Sequence, residues 1–155
     1  MGLRSRAAVF LTLLMALFSL CALPAEAEGL DLGPYRGKVV YLDFWASWCN
    51  PCRQSFPWMN QLQEEYGPRG FVVIAVNVDH DRDLAAEFLQ SNYARFKIVY
   101  DPNGAIAEKY DFKDMPTSIL IGRDGNIRYV HNGFYPNKEG MYASHISTLL
   151  NEKEH

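Results

Sequence analysis

The sequence lacks several features that mark large classes of protein. Its 155 residues contain 15 Lys and Arg against 18 Asp and Glu, so it has no basic excess with which to bind nucleic acid. Repeats and low-complexity segments are absent. An apolar run at residues 9–22 is short for a membrane-spanning helix. The composition, 48% hydrophobic and 14% aromatic, predicts one globular domain with a sizeable core.

Cysteine is scarce, with Cys21, Cys49 and Cys52 as the whole set. A zinc or copper site on Cys49 and Cys52 would need two further ligands, and no other cysteine or histidine pair has ligand spacing. His131 and His145 are predicted to be surface or edge residues. The sequence therefore predicts no metal and no cofactor, and a thiol metal-binding module is the less favoured alternative.

The first 27 residues have the pattern of a secretory signal peptide. Arg4 and Arg6 form a short basic region, residues 9–22 the apolar region, and residues 25–27 (Ala-Glu-Ala) a cleavage site of small residues. We predict a signal peptide over residues 1–27, a single domain over residues 28–155, and a periplasmic location. An uncleaved N-terminal membrane anchor is the alternative.

Residues 45–52 have the sequence WASWCNPC, which contains two cysteines separated by two residues. The apolar run at residues 39–44 before it predicts a buried strand, and residues 53–66 after it predict a helix. Cys49 would then lie where unpaired N–H groups and the positive end of the helix dipole favour a thiolate. Cys52, one turn into the helix, would be close enough to form a disulfide with Cys49.

These residues resemble the thioredoxin superfamily, and within it the exported TlpA/ResA-like branch. The resemblance rests on DFWASWCNPCR at residues 43–53, on Pro57, and on Met-Pro-Thr at residues 115–117, and it covers about residues 30–150. It implies an α/β thioredoxin fold, with a central mixed sheet flanked by helices on both faces and a TlpA-type helix-strand insertion. The implied activity is that of a thiol–disulfide oxidoreductase.

Asp43 is an acid inside an apolar run. Both faces of the predicted strand are apolar, as in a strand covered on both sides, so we expect Asp43 to be buried. The resemblance implies that it lies behind Cys52 and handles the Cys52 proton. Thioredoxins often carry a lysine where this chain has Ala75, so the pKa of Asp43 should be raised. Many TlpA/ResA-like proteins have a glutamate in place of Ser55, which leaves Asp43 as the nearby acid.

The Met-Pro-Thr segment is the second part of the expected site. In the superfamily the peptide bond before the equivalent proline is cis and faces the disulfide, and a cis bond is accessible mainly to proline. The resemblance therefore predicts a cis Met115–Pro116 bond, with Met115, Pro116 and Thr117 binding an extended substrate. A trans proline that merely begins a strand is the alternative.

Four residues around the cysteines complete the predicted site. Trp45 and Trp48 should shield the sulfurs and present an apolar contact surface. Asn50 and Pro51, between the two cysteines, should tune thiolate stability and hence the reduction potential.

The sequence therefore predicts an exported reductase of protein disulfides that uses Cys49 and Cys52. Relatives of this branch mostly act as reductants kept reduced by a membrane redox partner, for example toward apocytochrome c. The expected partners are protein disulfides and such a membrane protein, and no nucleic acid. An oxidase or isomerase of exported proteins remains open, because one sequence does not set the direction of electron flow.

Overall fold

The structure is a computed structural model that describes residues 30–112 and 114–152. The predicted signal peptide, its cleavage site and the alternative anchor lie outside these residues. Within the described part, no helix has both the length and the apolar character needed to cross a membrane.

A five-stranded mixed sheet forms the centre of the described chain, with strand order β3-β2-β1-β4-β5. The strands β1 to β5 are Val39–Trp45, Phe71–Asn77, Lys97–Tyr100, Thr117–Ile121 and Ile127–Asn132. The helices α1 to α4 are Asn50–Tyr66, Arg82–Ser91, Ala105–Tyr110 and Glu139–Asn151. Strands β1, β2 and β3 run parallel, while β4 is antiparallel to both β1 and β5.

Strand β1 lies in the middle of the sheet, and all seven of its residues are buried. Its side chains alternate between two hydrophobic clusters. Val39, Tyr41 and Trp45 pack with α1, α2 and α4 on one face. Val40, Leu42 and Phe44 pack with α3 on the other. The prediction of a mixed sheet with helices on both faces is confirmed.

Helix α1 begins at Asn50, which agrees with the predicted place of Cys49 at a helix start and of Cys52 in its first turn, although the helical pattern itself was assigned only from residue 53. Cys49 is its N-cap residue, and Pro51 fits the first turn because its missing N–H has no partner there in any case. The motif is therefore the first turn of the helix as well as the loop before it. Pro57 lies inside α1. The 3-10 turn Gly67–Arg69 follows the end of this helix.

The second half of the chain contains strands β3 to β5 and helices α2 to α4. Helix α2 and strand β3 are inserted between β2 and α3, where the sequence predicted a helix-strand piece; its assignment to a TlpA-type insertion stays a prediction. The turn before β5 has Gly125 at φ 82°, in the left-handed region that glycine adopts without a side-chain clash.

Candidate active site

Cys49 and Cys52 form a disulfide at the start of α1. The sulfur of Cys49 also accepts a hydrogen bond from the Cys52 backbone N–H, at 3.2 Å. Cys49 retains 4% of its surface while Cys52 retains none. A nucleophile that approaches from solvent therefore reaches the sulfur of Cys49 first, and Cys52 lies behind it.

The loop before the cysteines is held by an acid from the neighbouring strand end. Asp79 accepts hydrogen bonds from the backbone N–H and the hydroxyl of Ser47, both at 2.9 Å. It also accepts one from the amide of Asn77 at 2.7 Å. Asp79 is only 4% exposed, so these three bonds replace the water that the carboxylate would otherwise need. The network fixes the loop that presents Cys49.

Asp43 is buried, as the sequence predicted, with 1% of its surface exposed. It lies on the same face of β1 as Tyr41 and Trp45, whose side chains share a cluster with both cysteines. Within the described chain its Oδ2 atom is buried without a hydrogen-bond partner. Burial raises the pKa of Asp43 well above its usual range. Ala75 is its register partner on β2, so no lysine at that position offsets the burial.

The two tryptophans of the motif have opposite environments. Trp48 is 69% exposed beside the disulfide, as predicted, but Trp45 is fully buried. The ring of Trp45 packs against Phe56 and Phe88, with centroid distances of 5.0 and 4.8 Å. The prediction that Trp45 presents a contact surface is wrong, because β1 continues through residue 45 and its alternation turns Trp45 into the core.

The Met115–Pro116 bond is cis, as predicted. Met115 is partly buried and packs on the cluster that contains both cysteines. The Pro116 carbonyl accepts a hydrogen bond from the backbone N–H of Gly133, at 2.7 Å. The hydroxyl of Thr117 donates to the carbonyl of Asp114, at 2.6 Å. The segment is thus held by hydrogen bonds to Gly133 and Asp114 and packs on the cluster that contains both cysteines, while its part in substrate binding stays a prediction.

The remaining predicted residues lie in the first turns of α1. Asn50 is exposed and Pro51 follows it, so both border the disulfide from the solvent side. Ser55 is buried, and its hydroxyl donates to the Cys52 carbonyl at 2.9 Å. Ser55 therefore supports the backbone of the second cysteine and contributes no acid.

Sequence reasoning missed a polar pair on the same face of the sheet. His131 is 7% exposed, and its Nε2 lies 2.9 Å from Nδ1 of His145 on α4. Burial, and then the neighbouring His145, lower the pKa of His131 to about 4. His131 was predicted to be a surface or edge residue, and it lies on the edge strand β5. It is nevertheless buried, because α4 covers the inward face of that strand. Alternation from Tyr129 to His131 was the signal for this.

Comparisons with known proteins agree with this geometry. The model of the Redoxin family matches residues 15–146. The chain is similar to the thiol-disulfide oxidoreductase ResA of Bacillus thuringiensis, with 33% identity over 102 residues, 66% of this chain and 59% of that protein. It is similar to ResA of Bacillus subtilis, with 32% identity over 70% of this chain and 60% of that protein. The chain thus spans about three fifths of these curated relatives.

Solved structures share the fold. One is a crystal structure from Chlorobium tepidum, described as a candidate thiol:disulfide interchange protein DsbE. It is 47% identical, with a TM-score of 0.77, over 79% of this chain and 86% of that one. Another is an exposed lipoprotein thioredoxin from Streptococcus pneumoniae. It is 29% identical, with a TM-score of 0.67, over 76% of this chain and 90% of that one.

The family model covers most of the chain, and the described sheet, the cysteine pair at the start of α1 and the cis proline agree with it. The chain therefore belongs to the Redoxin family and has the thioredoxin fold.

Proposed function

We propose that this protein is an exported thiol–disulfide oxidoreductase that reduces disulfides in other proteins. The observation that carries the proposal is the asymmetry of the cysteine pair. Cys49 caps the helix and keeps an exposed edge, whereas Cys52 is fully buried behind it. The relatives named as thiol-disulfide oxidoreductases support the same chemistry.

The first step belongs to Cys49. In the reduced protein its thiolate is stabilised by the N–H groups and dipole at the start of α1. The thiolate attacks one sulfur of a substrate disulfide, so that a Cys49–substrate bond forms and the substrate bond breaks. The departing substrate sulfur leaves as a thiolate and takes a proton from water.

The second step belongs to Cys52, whose thiol must lose its proton before it can attack. Asp43 is on the cysteine-bearing face, and its burial gives its carboxylate a high affinity for a proton. We assign it as the base that accepts the Cys52 proton. The Cys52 thiolate then attacks the Cys49 sulfur, the second substrate thiolate leaves, and the pair becomes oxidised. Two electrons pass from the protein to the substrate.

A surface beside the disulfide would hold the substrate. Trp48 is exposed and Met115 partly exposed next to the cysteine cluster, and aromatic and methionine side chains are common in protein contact surfaces. We assign substrate binding to Trp48, Met115, Pro116 and Thr117. Asn50 and Pro51 tune the stability of the Cys49 thiolate, since they lie between the two cysteines in the sequence.

The proposed setting is the periplasm, which is oxidising. A reductase there needs a supply of electrons, so we propose a membrane redox partner that reduces the Cys49–Cys52 bond after each turnover. Disulfides formed during cytochrome c maturation are one class of substrate. The structural neighbour named as an exposed lipoprotein thioredoxin supports an exported location.

The reduction potential tests the direction of electron flow. Equilibration of the protein with thiol buffers should give a value near that of thioredoxin, about −270 mV. A value near that of DsbA, about −120 mV, would contradict the reductase and favour the oxidase alternative.

A trapping experiment tests the roles of the two cysteines. Cys52→Ser should hold substrates as mixed disulfides on Cys49, because the resolving thiol is missing. Cys49→Ser is the matched control and should trap none. Equal trapping by both variants would contradict the assignment of Cys49 as the nucleophile.

The role of Asp43 is tested by Asp43→Asn. Resolution of a preformed mixed disulfide should slow about a hundredfold, the lower end for a lost acid–base group. Ser55→Ala, which removes a different buried polar contact beside Cys52, should change the rate little. Unchanged resolution in Asp43→Asn would contradict the role of Asp43 and leave that of the cysteines intact.

A further inference from the structure

A short loop, residues 46–48, joins the end of β1 to the N-cap residue of α1. Backbone hydrogen bonds hold this loop at both ends. The Trp45 carbonyl accepts from the N–H of Val78 at 3.0 Å, where β1 ends. The N–H of Cys49 donates to the Ala46 carbonyl at 3.1 Å, where α1 is about to begin. The place of the Cys49 sulfur therefore depends on how the middle of the loop is held.

The middle of the loop is held by Asp79, which follows β2. Its Oδ2 atom accepts from the backbone N–H of Ser47 and its Oδ1 atom from the Ser47 hydroxyl, both at 2.9 Å. The side-chain amide of Asn77 also donates to Oδ2, at 2.7 Å, and its amide oxygen accepts from the Asp79 N–H at 3.2 Å. Asn77 is fully buried. The Asp79 carboxylate is thus oriented by the core on one side and bonded to the loop on the other.

The place of the sulfur matters because the stabilisation of a thiolate at a helix start is short-ranged. Cys49 is the N-cap residue of α1, and its sulfur lies 3.2 Å from the backbone nitrogen of Cys52. The unpaired N–H groups and the dipole of the first turn favour a thiolate there. Their effect falls off within that turn, so a displacement of the loop would weaken it.

We propose that Asp79 is a positioning residue for Cys49: through Ser47 it holds the sulfur against the N–H groups at the start of α1. The inference rests on the proposed function, in which the Cys49 thiolate attacks the substrate disulfide. It adds to that step a residue outside the motif, since Asp79 lies 30 positions after Cys49 in the sequence.

The charge of Asp79 acts in the opposite direction to its hydrogen bonds. A negative charge near a thiolate disfavours it, so removal of the charge alone lowers the pKa of Cys49. Loss of the bonds to Ser47 raises that pKa, because the sulfur leaves its place at the helix start. Other ionisable side chains on the neighbouring elements are the same in every variant below, so their effects cancel. They are Asp43 of β1, Arg53 of α1, His80 after β2 and Glu87 of α2.

Two substitutions that remove the same charge separate these effects. Asp79→Asn can keep all three bonds, since its amide oxygen can accept from the Ser47 N–H and from Asn77 while its NH2 group donates to the Ser47 hydroxyl oxygen. Asp79→Ala removes the charge and the bonds together. The pKa of Cys49 should therefore be about 0.5 unit higher in Asp79→Ala than in Asp79→Asn, the scale of a lost helix-terminus interaction.

The pKa of Cys49 is measured on the reduced full chain from the pH dependence of its alkylation rate with iodoacetamide. Mass spectrometry confirms that the modified residue is Cys49, which keeps an exposed edge, and not the fully buried Cys52. Equal pKa values in Asp79→Ala and Asp79→Asn, or a lower value in Asp79→Ala, would overturn the proposal.

Ser47→Ala keeps the proposal testable if Asp79→Ala does not fold. It removes only the hydroxyl bond and leaves the Asp79 charge in place. The pKa of Cys49 should rise above the wild-type value, by less than the difference between the two Asp79 variants. An unchanged or lowered pKa would contradict the proposal.

Asp101→Ala is the matched control for a general loss of stability. Asp101 is 5% exposed, and its carboxylate accepts from the N–H groups of Ile106 and Ala107 at the start of α3. Its loss should destabilise the fold and leave the pKa of Cys49 unchanged; a rise equal to that in Asp79→Ala would overturn the proposal. None of these measurements uses a substrate, so failure here is distinct from failure of the proposed function.

Discussion

The two faces of the central sheet differ in a way that separates stability from chemistry. The face covered by α3 is built from aliphatic and aromatic side chains such as Val40, Leu42 and Phe44. The face covered by α1 and α4 is also mainly apolar, but it contains the cysteine pair, Asp43 and His131. Strand β1 supplies alternate residues to both. Burial stabilises the fold on the first face, while on the second it also shifts the pKa values of the buried ionisable groups.

The largest expected effect is on the apolar face. Phe44 is fully buried, and its ring lies 4.5 Å from that of Phe112 between centroids. Phe44→Ala should lower the free energy of unfolding by about 3–5 kcal/mol, since it leaves a cavity. Urea denaturation measures this change, and Phe44→Leu should lower the free energy of unfolding by less than Phe44→Ala. The folded fraction should keep the wild-type reduction potential; a changed potential would break the division between the faces.

The next effect is a pH dependence of stability that His131 introduces. Its pKa is lowered to about 4 in the folded state, from about 6.5 in the unfolded chain. The unfolded state therefore binds more protons between these values, so stability should fall as pH falls from 6.5 to 4, by at most about 3 kcal/mol. His131→Gln should flatten this slope in urea denaturation, whereas His80→Gln should retain it. A wild-type slope in His131→Gln would contradict the assignment.

Asp43 should give a slope of the same kind and the opposite sign. Its folded pKa is raised, so the folded state holds a proton that the unfolded state has released. Stability should therefore fall as pH rises through the folded pKa of Asp43. Asp43→Asn should remove this fall and gain about 1 kcal/mol at pH 8, the scale for a poorly satisfied buried group. Denaturation of the wild-type protein and of Asp43→Asn at pH 5 and pH 8 measures this difference. A lower stability of Asp43→Asn than of the wild type at pH 8 would contradict the prediction.

The smallest expected change in stability is at the exposed tryptophan. Trp48→Ala should alter the free energy of unfolding by less than about 0.5 kcal/mol, as is usual for surface substitutions. The KM for a protein disulfide should rise while kcat changes little. Trp45→Ala, three residues earlier in the core, is the matched control and should cost about 3–5 kcal/mol. Similar losses of stability in both variants would contradict the contrast between them.

Local patterns account for the parts of the site that the sequence predicted. The cysteine pair, its place at the start of a helix and the burial of Asp43 follow from a short motif joined to an apolar run. The alternation that places Asp43 on an apolar face of the strand places Trp45 on the same face, but the prediction that Trp45 presents a contact surface did not take this into account. The cis bond between Met115 and Pro116 was predicted from the family resemblance, and the local sequence pattern alone would not have predicted it.

The alignment of Asp43, Ser118 and His131 across three strands could not be predicted in the same way. Ser118 and His131 each look ordinary in their own segments, and Asp43 is 75 or more residues away in sequence. Their alignment depends on the register of β1 with β4 and of β4 with β5. A shift of one residue in either pairing would move the side chains to the opposite face. Hydrophobic pattern restricts the register, but it does not identify which polar residues will meet.

The sequence by itself determined the thiol pair, the helix that begins at it and the acid in the strand before it, because these depend on neighbours along the chain and on backbone conformation. Tertiary structure decided which sulfur is accessible, which tryptophan faces solvent, and that His131 and His145 meet on the face that holds Asp43. Those outcomes depend on which segments pack together, since burial and cross-strand contact arise only when distant parts of the chain exclude water from one another.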